Sequence, residues 1–324
     1  MRKSLSPGGS RAILLAACTT LAACGGGAGG DGGAASQAPA HVPINTAGWA
    51  DSPYVSRDGK HLYFMYSRWN FMPMFVGAQP LLLGPDRPGL HQSLTNPFDE
   101  SDIFVATRKA DGSWGEATAL AFNWAGGDAS GMISGNSFYY ARSPGGGANP
   151  DIFVTTMDGG GNWSAPTSLS PALNTASVED NPHVSPTEDG IWFSSDRSGG
   201  HGGKDLYFSL RANGVWTAPV NLGPGINTAA DEDQPWVDPL GTGWLYFNRG
   251  GKIYRSQLIN GSFGTPDEFV ITGIPAGATV AEISFTDDGR YAYFACGDPA
   301  SQRIRIMYIV RQNDGSWGPA TPVD

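Results

Sequence analysis

The chain has 324 residues, of which 46 are glycine and 24 proline; charged residues make up only 15%, and there are 10 Trp, 11 Tyr and 15 Phe. This excludes a disordered acidic segment, which carries much charge and few aromatics, and a coiled coil, which lacks such Gly and Pro punctuation. With 20 basic against 30 acidic residues the net charge is −10, which argues against nucleic acid or an anionic lipid surface as the main partner. A turn-rich all-β protein with a large aromatic core fits.

Arg2, Lys3 and Arg11 form a positive start, followed by an apolar run of small residues over 12–23. The run has signal-peptide length and is too short for a membrane-spanning helix, which needs ~20 apolar residues. It ends in Leu21-Ala22-Ala23-Cys24, which resembles the lipobox of bacterial lipoproteins. The resemblance implies cleavage before Cys24, a diacylglyceryl thioether on its sulfur and acylation of the new N-terminus. By the same resemblance, Gly25 in place of Asp implies the outer membrane. Leu15-Ala16-Ala17-Cys18 is a second match, but it leaves only residues 12–17 between Arg11 and the cysteine, so Cys24 is preferred. The bland alternative is an ordinary secretory signal with an incidental cysteine. Against it stands the Gly-rich stretch after Cys24, a tether over 25–40 that would span roughly 20–25 Å. Cys18, Cys24 and Cys296 are the only cysteines, so the mature domain would hold one thiol and no internal disulfide. Loss of 1–23 removes three basic residues and no acid, changing −10 to −13, so the anchored acidic domain is expected to dangle from the membrane rather than lie on it. The expected organisation is a signal peptide over 1–23, a lipidated Cys24 and tether over 24–40, and one domain over 41–324.

Within that domain one unit recurs five times. An acidic residue opens a strand at Asp51, Asp128, Asp180, Asp233 and Glu282, and a turn leads to an aromatic strand at Leu62, Phe138, Ile191, Leu245 and Tyr291. A third strand begins near Asp102, Asp151, Asp205, Lys252 and Arg305. A Gly-x-aromatic element ending at Trp114, Trp163, Trp216, Phe263 and Trp317 closes each unit. Four short strands per repeat, rich in aromatic and β-branched residues, predict a β-propeller. The last repeat stops short, whereas the domain opens with Ile44-Asn45-Thr46, like the Ile226-Asn227-Thr228 that ends repeat 3. The N-terminal segment is therefore expected to complete the last blade. The fold class is all-β, a five-bladed β-propeller of four-stranded antiparallel blades.

These residues resemble the WD40-like propeller repeat of TolB and of some periplasmic lipoproteins, most closely over Phe193–Tyr207 and Trp216–Thr228. The resemblance covers 43–324 and is looser in repeats 2, 4 and 5. A binding role is expected on a different ground, a shaped face with no distinct catalytic set.

In a propeller the loop entering the first strand and the loop leaving the second share one face. The opening acids are expected there with Arg68, Arg142, Arg197 and Arg249, which follow the second strands. Two readings stay open: repeated Asp–Arg pairs that lock blades together, and a polar mouth for a ligand built from Asp51, Arg68, Asp128, Arg142, Asp180, Arg197, Asp233 and Arg249. A third reading comes from five-bladed family 43 glycosidases: Trp49-Ala50-Asp51-Ser52-Pro53 resembles their first acidic motif, with Asp128 and Glu179 as partners. Inverting hydrolysis needs an acid and a base ~6.5–9.5 Å apart. Against it, an acid opens every repeat.

Asp158 lies in a sialidase-like Asp-box, expected to be a structural turn. The five histidines lack metal-ligand spacing, the glycines over 199–203 lack the helix that phosphate binding uses, and Cys296 reads as a small core residue. No cofactor or metal is expected. Residues 69–100 form an insertion in the first repeat, read as a loop over the mouth rather than a sixth blade. Its Trp69, Phe71, Met72, Met74, Phe75 and Leu81–Leu83 either plug the central well or offer an apolar patch. The function expected is a lipid-anchored envelope scaffold that binds a protein or glycan, with glycoside hydrolysis as the alternative.

Overall fold

A computed structural model describes residues 42–146, 149–238 and 242–324. Residues 1–41, with Cys18, Cys24 and the tether, lie outside the described residues.

The fold is all-β: five antiparallel sheets arranged in a ring, each running in chain order from the innermost strand to the rim. Blade 1 comprises Trp49–Val55, His61–Ser67, Asp102–Thr107 and Thr118–Ala119; blade 2 comprises Asp128–Ser134, Ser137–Arg142, Asp151–Thr156 and Thr167–Ser168. Blade 3 holds Glu179–Val184, Gly190–Ser195 and Asp205–Ala212, blade 4 Glu232–Val237, Trp244–Arg249 and Lys252–Ile259, and blade 5 Thr279–Phe285, Tyr291–Asp298 and Arg303–Val310 with Thr321–Pro322. The Gly-x-aromatic elements are not the whole of the outer strand. In blade 3, Val215–Trp216 and Val220–Asn221 pair separately with the third strand, so the rim strand is interrupted just beyond the tryptophan. Trp114, Trp163 and Trp317 make only isolated bridges.

The second strands are buried because both faces lie against neighbouring blades. Phe64, Tyr140, Phe193, Phe247 and Phe294 occupy one register and are at most 1% exposed. Truncating one such ring to Ala typically costs about 3–5 kcal/mol.

Ring closure is done by side chains as well as strands. Asn45 Nδ2 donates to the carbonyls of Ile306 (2.9 Å) and Val323 (2.7 Å), and the Ile306 amide donates back to Asn45 Oδ1 (2.7 Å). Asn123, Asn174 and Asn227 make the same reciprocal pair with Ile103, Ile152 and Leu206. The N-terminal Ile44-Asn45-Thr46 therefore completes blade 5.

Every first strand bulges one residue before Pro53, Gly131, Pro182, Pro235 and Ile283. The bulge residues Ser52, Ser130, Asn181, Gln234 and Glu282 have φ of 51°, 53°, 51°, 56° and 61°. Left-handed backbone at a non-glycine costs about 1–2 kcal/mol and survives where its surroundings over-determine it. Five copies ring the propeller axis.

Among the described residues no helix is long and apolar enough to cross a membrane.

Candidate functional site: the axial mouth

The bulges separate the opening acids into three registers, which corrects their sequence-level equivalence. Asp51, Asp180 and Asp233 directly precede the bulge residue, Asp128 stands one residue earlier with Glu179 and Glu232, and Glu282 is itself the bulge residue.

The earlier register faces the arginines. Arg142 Nε and Nη2 donate to Asp128 at 2.8 and 3.0 Å, Arg197 Nη2 donates to Glu179 at 3.0 Å, and Arg249 Nε donates to Glu232 at 2.6 Å. The partners in blades 3 and 4 are thus Glu179 and Glu232, not Asp180 and Asp233. Each of these arginines also donates to a carbonyl of the element that clips the preceding blade, at Phe122, Leu173 and Ile226 respectively. Each guanidinium lies about 5 Å from a blade aromatic, Tyr140, Phe193 or Phe247.

Blade 1 departs from this pattern. Arg68 does not meet Asp51; it pairs with Glu100 (2.6 Å) and Asp86 (2.7 Å) inside the insertion. The equivalent stacked position over Tyr66, Phe64 and Phe104 belongs to Arg87. Arg87 donates to Pro43 O and Ile44 O. Ala50 occupies the register where blades 2, 3 and 4 have Asp128, Glu179 and Glu232, and Arg87 Nε is buried without a partner.

The later register meets at the axis. Lys204 Nζ reaches Asp180 Oδ2 (3.3 Å) and Asp233 Oδ2 (3.0 Å). Asp233 Oδ1 accepts from Asn181 Nδ2 (2.7 Å) and Ser194 Oγ (2.5 Å). Gln234 Nε2 donates to Glu282 Oε1 (2.8 Å), and the Ser52 amide donates to Glu282 Oε2. Ser52 Oγ lies between Glu282 Oε1 (3.0 Å) and Asp51 Oδ1 (3.2 Å), while Trp49 Nε1 donates to Asp51 Oδ2 (2.5 Å). Each bulge side chain of blades 1, 3 and 4 therefore reaches a carboxylate of its own or the following blade. The first strands line a small axial cavity of about 50 Å³, bordered by Ser52, Gln234 and Glu282 of this ring and by Pro53, Met132, His183, Trp236 and Ser284.

Burial dominates the protonation of this cluster. It pushes Asp51 up to about 7, with the negative charge of Asp180 adding to the rise. It also raises Glu282 well above its ordinary value, with Asp51 and Asp233 reinforcing the effect. The Lys204 ammonium is burial-penalised, yet Asp233 and Asp180 more than offset this and hold it charged. Burial raises Asp128 to about 6 despite Arg142, and it lowers His183 to about 4, whose Nε2 contacts Val237 O at 3.0 Å.

Lys204 was not among the residues singled out from sequence. Its one signal is its place after Gly202-Gly203 in repeat 3 alone. A Cβ at Gly203 would collide with Asp231 and one at Gly202 with Ala230 O. The glycines let this loop press onto the next blade's entry, where the Lys204 amide donates to Asp231 (2.9 Å).

The glycosidase trio does not share an environment: Asp51 belongs to the axial ring, while Asp128 and Glu179 are fully buried against their arginines. Glu179 also accepts from the Thr175 amide and hydroxyl and from Ser195 Oγ. Asp158 accepts from the Gly160 and Asn162 amides, an exposed turn. Cys296 is 3% exposed among apolar side chains, which push its thiol up to about 11. Among the described residues no group of three or more His, Cys, Asp or Glu is arranged to hold a metal ion.

The insertion divides. Phe71 packs edge-on against Trp49, Met72 is buried with Trp49, Met65, Ala295 and Ile304, and Asn70 donates to Gln302 O of blade 5 at 2.7 Å. Phe75, Val76 and Leu81–Leu83 remain exposed. One part packs on blades 1 and 5 and the other is an exposed apolar patch; no residue of the insertion lines the axial cavity.

No family model matches the chain, and no curated protein matches it. Among solved structures it is similar to a TolB-type protein of Agrobacterium tumefaciens, with 16% identity over 86% of this chain and 82% of that one and a TM-score of 0.47. TolB of Acinetobacter baumannii matches at 15% identity over 83% and 67%, TM-score 0.43. A xylan beta-1,4-xylosidase of Bacillus halodurans C-125 matches at 15% identity over 85% of this chain but 55% of that one, TM-score 0.46. Likenesses this distant carry no argument about activity, and the five-bladed propeller rests on the strand topology of the chain itself.

Proposed function

We propose that this chain is a lipoprotein of the bacterial cell envelope, anchored through Cys24 to the outer membrane, whose propeller is a non-catalytic binding or scaffold module for an envelope protein or glycan. The observation that supports this most is the saturation of the axial ring. Every carboxylate oxygen of Asp51, Asp180, Asp233 and Glu282 already accepts a hydrogen bond or ion pair from a neighbouring side chain or amide. Such a ring is rigid and preorganised, which suits recognition. Acid–base hydrolysis instead asks for a carboxylate free to activate water, and Asp128 and Glu179 are held by their own donors.

The test has two parts. Metabolic labelling with an alkyne fatty acid should mark the wild type and not Cys24→Ser; persistent labelling of that variant would move the site to Cys18. Wild-type protein should retain an envelope protein or glycan that Lys204→Ala releases, and it should leave aryl arabinosides and xylosides intact. Turnover that disappears in Asp51→Asn would overturn the binding reading in favour of a glycosidase.

A further inference from the structure

We infer that the exposed half of the insertion is a membrane-contact surface, which seats blade 1 on the bilayer that carries the lipid anchor. This rests on the lipoprotein reading above. Phe75 is 77% exposed, Val76 75%, Leu81 50% and Leu83 51%. From Trp69 to Pro85 the chain has no charged residue and no histidine, although the whole protein carries −10. Large apolar side chains with no charge among them suit the headgroup–acyl boundary of a bilayer.

The place of the patch in the fold argues for the bilayer over other occupants. Arg87, in the same insertion, holds the carbonyls of Pro43 and Ile44, where the described chain enters from the anchor side. Close by, Gly48 and Gly84 approach so tightly that a Cβ on either would crowd the other's Cα, which sets Leu83 beside the entering strand. The tether thus joins the domain next to the patch. Residues 25–40 are Gly, Ala, Ser, Pro, Gln and a single Asp, with no large apolar side chain to cover the patch themselves. A tether of that length holds the bilayer within roughly 20–25 Å, so a contact too weak to bind membranes alone is populated through high effective concentration. The insertion's inner half, fixed on Trp49 by Phe71 and Met72, holds the patch in place. Its role is orientation: the anchor supplies attachment and the patch sets which blade faces the lipid.

The full lipidated chain, reconstituted into phosphatidylethanolamine–phosphatidylcholine vesicles, tests this. A nitrobenzoxadiazole label is placed at Val76→Cys, or at Val215→Cys on the rim of blade 3, which is 63% exposed. Flotation should carry both proteins with the vesicles. The label at 76 should shift to shorter wavelength and be quenched by nitroxide on the acyl chains, and the label at 215 should not. Leu82→Ser/Leu83→Ser should lose the quenching at 76 while still floating. Co-flotation with no quenching at 76 would overturn the surface and leave the lipid anchor standing. A blue shift at 76 that is the same without vesicles would assign the patch to a second copy of the chain and overturn the proposal. Failure to float, with no acyl mass on Cys24, would overturn the lipoprotein reading and the contact with it.

Discussion

Arg87, in the insertion of blade 1, donates to the carbonyl of Ile44 at 3.1 Å, just as Arg249 in blade 4 donates to Ile226 at 2.6 Å. Both carbonyls directly precede an asparagine, Asn45 or Asn227, that clips the third strand of the preceding blade. The insertion thus supplies the arginine that blade 1 would otherwise lack, at the seam where the two ends of the chain meet. Arg87→Ala removes two carbonyl contacts and a guanidinium over Tyr66. It is expected to lower the unfolding free energy by about 2–4 kcal/mol and to expose residues 42–46 to limited proteolysis. Urea denaturation and mass mapping of the cuts check this.

Adjacent acids should differ sharply. Glu179 is fully buried with four donors, whereas Asp180 is partly exposed and shares Lys204 with Asp233. Glu179→Ala strands Arg197 and should cost about 3–5 kcal/mol. Asp180→Ala leaves Lys204 its second partner and should cost nearer 1 kcal/mol. Equal costs would mean that the bulge register is wrong.

The axial pair makes stability depend on pH. The Asp51 carboxyl rises from 3.8 to about 7 on folding, so the folded state holds the proton more tightly than the unfolded chain. Its stabilising contribution is complete below pH 4 and is lost as pH rises through about 7. Glu282, also raised, acts in the same direction. Asp51→Asn cannot ionise, so the melting temperature of the variant relative to wild type should climb between pH 4 and pH 8. A flat difference would show that Asp51 is ionised in the fold.

Replacing residues 71–83 by a short Gly-Ser link should leave the ring closed, because it removes no blade strand and spares Arg87. It should nevertheless cost about 2–4 kcal/mol through Met72, which is 6% exposed. Restricting the replacement to 75–83 should cost less, about 1 kcal/mol, through the Phe75 ring stacked on Trp49 and the pairing of Leu81–Leu82 with Trp69–Asn70. Thermal denaturation of the two variants side by side distinguishes the covering half from the exposed half.

Much of the architecture was legible in the residues. Repeated aromatic strands and Gly-x-Trp turns report a propeller because every blade solves one packing problem, and the stray Ile44-Asn45-Thr46 reports ring closure because its asparagine clips a third strand as Asn123, Asn174 and Asn227 do. The insertion showed itself through the long interval between Arg68 and Asp102. Its division into cover and patch did not, because Met72 and Phe75 are equally apolar and both reach Trp49, but only Met72 is also packed against Met65, Ala295 and Ile304.

The partners of the acids were decided by tertiary structure. Glu179-Asp180 and Glu232-Asp233 place two carboxylates side by side, and in a strand neighbouring side chains point to opposite faces. A one-residue bulge therefore determines which acid meets the arginine and which turns to the axis. Pattern alone cannot locate that bulge, because the left-handed residue is Ser, Asn, Gln or Glu rather than a tell-tale glycine. The same holds for Lys204 and Arg87: each is an unremarkable cation in a loop until the packing of adjacent blades brings it to a carboxylate or a carbonyl that cannot be left unpaired.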